Sequence, residues 1–599
     1  MSNTSTITLP PYLARLDDYQ QAAALDTEGY VIIHACAGAG KSAVLAARAA
    51  YLLNAGVAPE NLLCVTFTNK AADEMRSRIE SYSGRNLSSM WIGTYHSICA
   101  RILRSYGSAI GIPSDFDILD EQESFHIVRQ IANNSGFNGK NIKLRDLKNE
   151  IDRFKSQLID FDGWCKSPQR IGNGMDSNTF YRFYQAYQDR LRSANLLDFN
   201  DLTREVLKLL LSSPIVRRDV SSRFQYLLVD EYQDSSQVEA EILRLLSSHH
   251  NNLCVVGDVR QSIFKWRGSD CHLMMNFEKQ YASVKSHILN TNYRSARSIV
   301  SAAERIMAVG ITKPGYACIP NRADLGQVHI LRFESDMEEA KVISTAISES
   351  VKSGIIAHSD IAVLARTRTT TRTLEDMFRK HSIPFISTGR PDWLVSLEVQ
   401  RTLLYLRKVL DQDGNSADSD VPAYRDRSGR KTIEKLQRMH KCGVTLQTLL
   451  EQTIQYVKDE LVLRDDKKAN TNLYELYQTG FKHPGTSIYA LPSFLASLES
   501  EGSDDKVNAN AVSIMTIHMS KGLQFRLVFL VGMEERIMPS WQSIGDSAAL
   551  GEERRLCYVA MTRAKDWLCL CSSRTRRLNS RLQSLEVSRF IHEIHSSKP

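Results

Sequence analysis

No two of the eleven cysteines stand as a CxxC pair, and their scatter offers neither a zinc or iron-sulfur ligand set nor a disulfide framework. Buried free thiols are expected instead, with Cys569 and Cys571 on one face of the strand-like LCLCSS. Long apolar runs are missing too: nothing reaches the roughly 18 residues that cross a bilayer, so no membrane partner is expected. The first residues, MSNTSTITLPPYLARLDDYQ, lack the basic, apolar and small-residue succession of a secretory signal, and a cytoplasmic location is expected. No internal repeat of fixed period is present. The charge imbalance is mild, +7 with a pI near 8.7, which suits a polyanionic partner without requiring one.

What is present is the composition of an ordinary globular protein, 43% hydrophobic and 24% charged, in a chain of 599 residues. That length is too great for one core and predicts about four domains. Short β-branched runs recur between polar or glycine-containing turns: VIIHA, LLCVTF, YLLVDE and LCVVGD, then VHILRF, IAVLAR, VSIMTIH, LVFLVG and LCLCSS. Near-continuous apolar strands alternating with helical segments predict two α/β domains with parallel sheets covered on both faces. Two helical stretches interrupt them, at about 100–200 and about 409–507. The second is bracketed by the polar segments DQDGNSADSD and ESEGSDDKVNAN, expected to be linkers.

ACAGAGKS, residues 35–42, lies between the first strand and a helical AVLAARAAYLL. In that context Gly38, Ala39 and Gly40 let backbone amides approach phosphate oxygens, Lys41 reaches the β- and γ-phosphates, and Ser42 can ligate Mg²⁺. Ala35 takes the place of the usual first glycine, and a plain strand-to-helix turn is the competing explanation. LLVDEYQDSSQ weakens that competitor by setting Asp230 and Glu231 at the end of another apolar strand. Asp230 is suited to hold Mg²⁺ and Glu231 to orient or deprotonate an attacking water; a helix N-cap is the bland alternative. A third stretch, QSIFKWRGSD, puts Phe264 and Trp266 between Lys265 and Arg267 in a loop that opens with Gln261.

The order of TFTNKAADEMRSRI, GTYHS, LLDFNDL, VDEYQD, VVGDVRQSIFKWRG, LNTNYRS, MTIHMSKGLQF and ERRLCYVAMTRAK resembles the superfamily 1A helicases of the UvrD/Rep type, from about Gln20 to Glu593. The resemblance implies an α/β fold of two RecA-like motor domains, each with a mainly helical insertion: 1–98 with 200–288 as the first motor, interrupted by 99–199, and 289–408 with 508–599 as the second, interrupted by 409–507. It implies ATP and Mg²⁺ as cofactors. Gln20 matches the residue that reads adenine and Tyr293 the aromatic that stacks on it. Arg294 and Arg563 match the arginines that reach the γ-phosphate, the device that meets developing phosphoryl charge. Gln261 matches a γ-phosphate contact. Phe264, Trp266 and Arg267, with Phe67, Thr68, Asn69, His96 and His518, match the contacts to single-stranded DNA, where stacking tolerates any base.

The expected activity is therefore an ATP-driven single-strand DNA translocase and helicase of 3′ to 5′ polarity that works at single-strand/duplex junctions. The rival is an ATP-switched DNA-binding subunit of a larger repair or defence complex, and a second rival has RNA as the track. Several positions depart from the family: Gln524 for glutamate, Val259 and Arg260 for an acidic pair, Ala43 for arginine, and no aromatic near Arg577 and Leu578. Arg260 is expected to add positive charge beside the nucleotide or the strand. The second insertion is short. Only VPAYRDRSGRKTIEKL there echoes a duplex-binding element, through Arg425, Arg427, Arg430, Lys431 and Lys435, with a solvated helix face equally in play. The chain closes at SRFIHEIHSSKP, so any nuclease is expected on a separate subunit.

Overall fold

A computed structural model of the chain describes residues 9–134, 144–158, 177–309, 317–387, 394, 396–410, 427–461, 463, 466–481, 483, 485–500, 510–578 and 581–596. Packing divides it into two compact units, Met1–Pro384 with Asn510–Pro599, and Phe385–Ala509.

The larger unit contains two parallel sheets. In the first, the strands lie in the order Trp91–Thr94, Leu62–Thr66, Tyr226–Val229, Leu253–Gly257, Tyr30–Ala35, Lys285–Leu289, and every adjacent pair is parallel. Alternation along each strand sends Ile32, Leu63, Val65, Leu227, Val229 and Val255 to one core. It sends Val31, Ile33, Leu62, Cys64, Leu228, Cys254 and Val256 to another on the opposite face. Both faces are covered, which is why these strands read as continuous apolar runs rather than alternating ones. Consecutive strands Tyr30–Ala35 and Leu62–Thr66 are not neighbours: two later strands come between them. Parallel sheets hold ligands in the crevice that such a reversal opens at the carboxyl ends of the strands. The phosphate-loop sequence, the acidic pair and the loop from Asp258 to Gly268 all leave the sheet at those ends.

The second sheet runs Gln327–Ser335, Ala564–Leu578, Phe525–Val531, Ile361–Ala365, Val512–Thr516, again parallel, with Arg581–Ser584 added antiparallel to Ala564–Leu578. Its core joins Leu364, Val528, Leu530, Leu568 and Leu570 to the helices Arg297–Ala308 and Ser547–Met561. The α/β architecture with two parallel sheets expected from the sequence is present.

Helices Glu121–Asn134, Leu144–Ser156 and Ser177–Ser193 share a small core of Val128, Leu147, Ile151, Phe154, Phe180 and Tyr187. The chain enters and leaves this bundle through a two-stranded parallel pair, Asp117–Leu119 beside Leu196–Asp198. At the far end of the pair Lys155 Nζ lies 2.7 Å from both Asp198 and Asp201, with all three side chains buried. Asp198 also caps the helix Phe199–Ser212 in a reciprocal capping box with Asp201, so the acids of LLDFNDL serve both the helix start and the buried lysine.

The smaller unit is helical: Leu397–Leu410, Arg427–Lys441, Leu446–Glu460, Lys467–Gly480 and Ser487–Ser500 pack around Leu403, Leu406, Leu436, Leu449, Leu473 and Phe494. It begins upstream of residue 409 because Val399, Leu403 and Leu406 belong to its core. Of the cations singled out there, Arg425 lies outside the described residues, as does DQDGNSADSD; Lys431 and Lys435 are exposed. Among the described residues all ten cysteines are free and eight are buried, as the sequence predicts.

Candidate active site and nucleic-acid interface

The turn after the first strand is shaped by what surrounds it. Gly38 and Gly40 have φ of 73° and 78°, the left-handed region, and Gly40 is the residue from which the helix Lys41–Asn54 starts. A Cβ on Gly38 would come within 2.8 Å of Arg294 Cβ, and one on Gly40 within 2.9 Å of Gln20 Nε2. Gly38 has no room for a side chain, and at Gly40 the left-handed backbone would strain one. Three bonds fix the loop from outside: Gln20 Nε2 donates to the Ala39 carbonyl at 2.9 Å, Asn292 Nδ2 to the Ala37 carbonyl at 2.7 Å, and the Tyr293 N–H to the Gly38 carbonyl at 3.1 Å. Tyr293 also donates its hydroxyl to Asp17, which caps the helix carrying Gln20. The two residues expected to flank adenine are thus brought to the same side of the loop, with the Tyr293 ring exposed.

Across the loop, Ser42 Oγ donates to Asp230 Oδ2 at 2.9 Å. A hydroxyl and a carboxylate are hard oxygen donors of the kind that hold Mg²⁺, so the residues present fit that ion. Lys41 Nζ is 3.9 Å from Glu231 Oε1. Glu231 has φ of 55°, a left-handed value that a non-glycine residue adopts at a cost of about 1 kcal/mol or more, and such residues gather at functional sites. The two adjacent acids titrate apart. Burial, and then the charge of Glu231, raise Asp230 above the usual carboxylate range. Burial would raise Glu231 as well, but Lys41 and Lys521 outweigh it and hold that carboxyl low, ready to accept a proton only from a strongly polarised donor.

Gln261 is 3% exposed and bonded at both ends of its amide: Nε2 donates to Asp258 Oδ2 at 2.8 Å, and Oε1 accepts from Arg563 Nη2 at 3.4 Å. Arg563, 1% exposed, also donates to the Val559 and Leu523 carbonyls, and burial together with neighbouring Arg294 pushes its guanidinium down to about 9. Arg294 is held to the Thr562 carbonyl at 3.3 Å. The five residues expected to carry catalysis, Lys41, Glu231, Gln261, Arg294 and Arg563, are therefore drawn together, with Lys521, 3.8 Å from Glu231 and bonded to the Gln261 carbonyl, joining the two groups.

The loop that holds Gln261 continues to the aromatics, and the geometry treats the two differently. Phe264 is 7% exposed and stacks on Phe67 with centroids 4.7 Å apart. Trp266 stands 65% exposed, with Arg267 5.6 Å from its ring. Phe264 is the floor and Trp266 the presented face. A cleft runs past them, lined by Phe67, His96, Asn149, Phe199, Trp266 and Arg267. Burial, reinforced by Arg267, lowers His96 to about 4, and burial with Arg366 and Lys521 does the same to His518, so both imidazoles are neutral near pH 7. Thr68 caps the helix Asn69–Ser83 by accepting from the Ala71 N–H at 3.1 Å, and Asn69 is exposed beside it.

Arg260 does not do what its sequence position suggests. Its side chain is 0% exposed, bonded to Asp258 at 3.0 Å and to Glu304 at 2.7 Å, so its charge is neutralised internally rather than offered to nucleotide or strand. Of the other departures, Gln524 is exposed and Ala43 half-buried. Sequence reasoning missed Lys521, which donates to the Gln261 carbonyl at 2.8 Å, pairs with Asp234 and sits 5.2 Å over the Phe264 ring. It also missed Gln233, Asn292 and the 46% exposed Phe199, whose ring meets His96 edge-on. All of these lie inside the segments VDEYQD, LNTNYRS, MTIHMSKG and LLDFNDL; the segments were legible, and the division of labour within them was not.

Comparison with known proteins gives the same picture from outside the fold. The UvrD/REP helicase N-terminal domain matches residues 16–282, and the UvrD-like helicase C-terminal domain matches 287–484 and 464–575. The ATP-dependent DNA helicase PcrA of Staphylococcus epidermidis is 30% identical over 97% of this chain and 86% of its own length. That of Staphylococcus aureus is 30% identical over 98% and 87%. A phosphate loop, an acidic pair and two arginines set between two parallel sheets, in a chain matched almost end to end, make this protein a member of the UvrD-like superfamily 1 helicases, a DNA-dependent ATPase.

Proposed function

We propose that the protein is a single-strand DNA translocase and helicase that moves 3′ to 5′ and opens duplex at single-strand/duplex junctions, with 1–98 and 200–288 as one motor, 289–384 and 510–599 as the other, and 99–199 and the helical unit Phe385–Ala509 as insertions. The observation that carries this reading is the loop from Asp258 to Gly268, which holds Gln261 against Arg563 at one end and presents Trp266 at the other. Fuel and track meet in one segment.

In this reading Lys41 exchanges its partner Glu231 for the nucleotide phosphates. Ser42 and Asp230 would hold Mg²⁺, which supplies charge neutralisation on the β- and γ-phosphates. Glu231, freed from Lys41, takes a proton from the attacking water. Gln261 is held by Asp258 with its oxygen toward Arg563, and an oxygen so placed would accept from that guanidinium or from the attacking water, the phosphate oxygens being acceptors themselves. Arg294 and Arg563 meet the charge that develops on the transferred phosphoryl group. Closing and reopening the crevice then shifts the strand past Trp266. Opening duplex costs about 1.4 kcal/mol per base-pair step, so short advances per hydrolysis are energetically sufficient.

The test is steady-state ATP hydrolysis with and without single-stranded DNA, Lys41→Ala serving as the blank, followed by strand displacement on duplexes with a 3′ or a 5′ tail. Stimulation by DNA and displacement from the 3′-tailed duplex alone are expected. Stimulation without displacement on either duplex would make the protein an ATP-switched subunit that needs a partner, and equal stimulation by RNA would remove DNA as the specific track.

A further inference from the structure

Arg260 touches Asp258, Glu304 and Tyr558, which lie beside three different parts of the proposed ATP site. Its N–H and Nε donate to Asp258 Oδ1 at 3.1 and 3.0 Å. Nη1 donates to Glu304 at 2.7 Å, and the guanidinium lies 5.3 Å from the Tyr558 ring. Asp258 uses its other oxygen, Oδ2, to hold Gln261 Nε2 at 2.8 Å. Glu304 sits on the helix Arg297–Ala308, which begins three residues after Arg294. Tyr558 sits on the helix Ser547–Met561, which ends two residues before Arg563. Asp258 follows a strand of the first sheet, whereas both helices pack on the second.

Geometry gives this arrangement a direction. With Oδ1 occupied by Arg260, Asp258 has one oxygen for Gln261, and that bond settles which end of the amide points away. The remaining end, Oε1, faces Arg563. A carboxylate at this depth, 0% exposed, must also be compensated, because a buried charge left without its partner is strongly destabilising. Arg260 supplies the compensation and carries the same tie across to Glu304, so the Gln261 turn and the helix behind Arg294 are held in one register.

We propose that Arg260 is a positioning residue for hydrolysis: through Asp258 it sets the orientation of the Gln261 amide, and through Glu304 and Tyr558 it keeps that amide in register with the two arginines. The proposal rests on the reading that Gln261, Arg294 and Arg563 face the γ-phosphate. It predicts a defect in turnover rather than in binding, because Arg260 is buried behind the site and touches neither nucleotide nor strand in that reading.

The experiment is ATP hydrolysis stimulated by single-stranded DNA, with kcat and KM for ATP measured separately and DNA affinity measured by anisotropy, on Arg260→Met, Glu304→Gln, the double variant and Lys41→Ala, all in the full chain. Arg260→Met should lower kcat by about tenfold, with KM and DNA affinity each within about twofold, the signature of an interaction made in the transition state. Glu304→Gln should lower kcat by about threefold, and the double variant should be no worse than Arg260→Met, because coupled residues do not add. Parent-like kcat in folded Arg260→Met overturns the proposal. So does a raised KM or weakened DNA binding at unchanged kcat, which would mean that the charge acts on a ligand directly. So do losses that multiply in the double variant. Should Arg260→Met fail to fold, Glu304→Gln decides the matter, since its side chain is 25% exposed and the amide keeps its shape. Lys41→Ala separates the two levels: hydrolysis that survives it overturns the site itself, whereas an inactive Lys41→Ala beside a parent-like Arg260→Met overturns the role of Arg260 alone.

Discussion

Within the loop from Asp258 to Gly268, Gln261 is 3% exposed and bonded through both atoms of its amide, whereas the Trp266 indole stands 65% exposed, with Arg267 and the edge-on Phe264 ring beside it. In the proposed function the difference matches what each end would meet. A phosphoryl group has one geometry, and fixed donors in a water-poor crevice act on it without having to reorganise. A strand of arbitrary sequence has many, and a π-face accepts all four bases at similar strength. Hydrogen bonds specify at one end and stacking tolerates at the other.

Substitutions can pull the two ends apart. The largest effect is expected from Lys41→Ala, which should lower hydrolysis by roughly a thousandfold or more because the phosphate charge loses its fixed partner, while single-strand binding measured by anisotropy survives. Glu231→Gln comes next: the amide keeps the shape but cannot take the water's proton, so kcat should fall by about 10²-fold or more with ATP binding retained in an equilibrium titration. Trp266→Ala should act at the other end alone, weakening single-strand affinity by about 1–3 kcal/mol and raising the DNA concentration needed for half-maximal stimulation, with hydrolysis in the absence of DNA near the parent value. If Trp266→Ala reduced DNA-free hydrolysis as strongly as DNA binding, the two ends would not be separable.

The smallest effect concerns pH. His96 and His518 have folded values near 4, below the ordinary imidazole value of 6.5, so the unfolded chain binds their protons first. Their contribution to stability is therefore constant above about pH 6.5 and is lost progressively as pH falls from there toward about 4. Between pH 7.5 and 5.5 both stay neutral in the folded protein, and the salt dependence of DNA binding should gain no additional cation from them. A steeper salt slope at pH 5.5 that disappears in His96→Gln or His518→Gln would show that these rings do face the strand as charges.

The sheets were legible because a parallel strand buried on both faces leaves an unbroken β-branched run, and the candidate site could be located because its residues sit where those runs end. Gly38, Ala39 and Gly40 could be placed for the same reason. Arg260 could not: a cation beside a nucleotide motif reads as a ligand contact, and only the fold reveals Glu304, forty-four residues later, waiting for it. Phe264 and Trp266 read alike in sequence, being two apart, and the turn at Lys265–Arg267 is what sends one inward and the other out. Lys521 was invisible as an individual because its polar partners Asp234 and Gln261 lie 287 and 260 residues away in the chain, with Glu231 beside the first.

The parallel pair Asp117–Leu119 and Leu196–Asp198 brings the two ends of the first helical bundle side by side, with Asp117 opposite Leu196 and Leu119 opposite Asp198. Strands lie about 4.8 Å apart and rise about 3.3 Å per residue, so a linker of a few residues spans the gap. The strand pair is not the only tie: Lys155 at the end of one bundle helix is buried against Asp198 and Asp201, and Arg204 donates to the Phe154 carbonyl. A bundle grafted onto the same strand pair would therefore have to bring its own cation for those two acids.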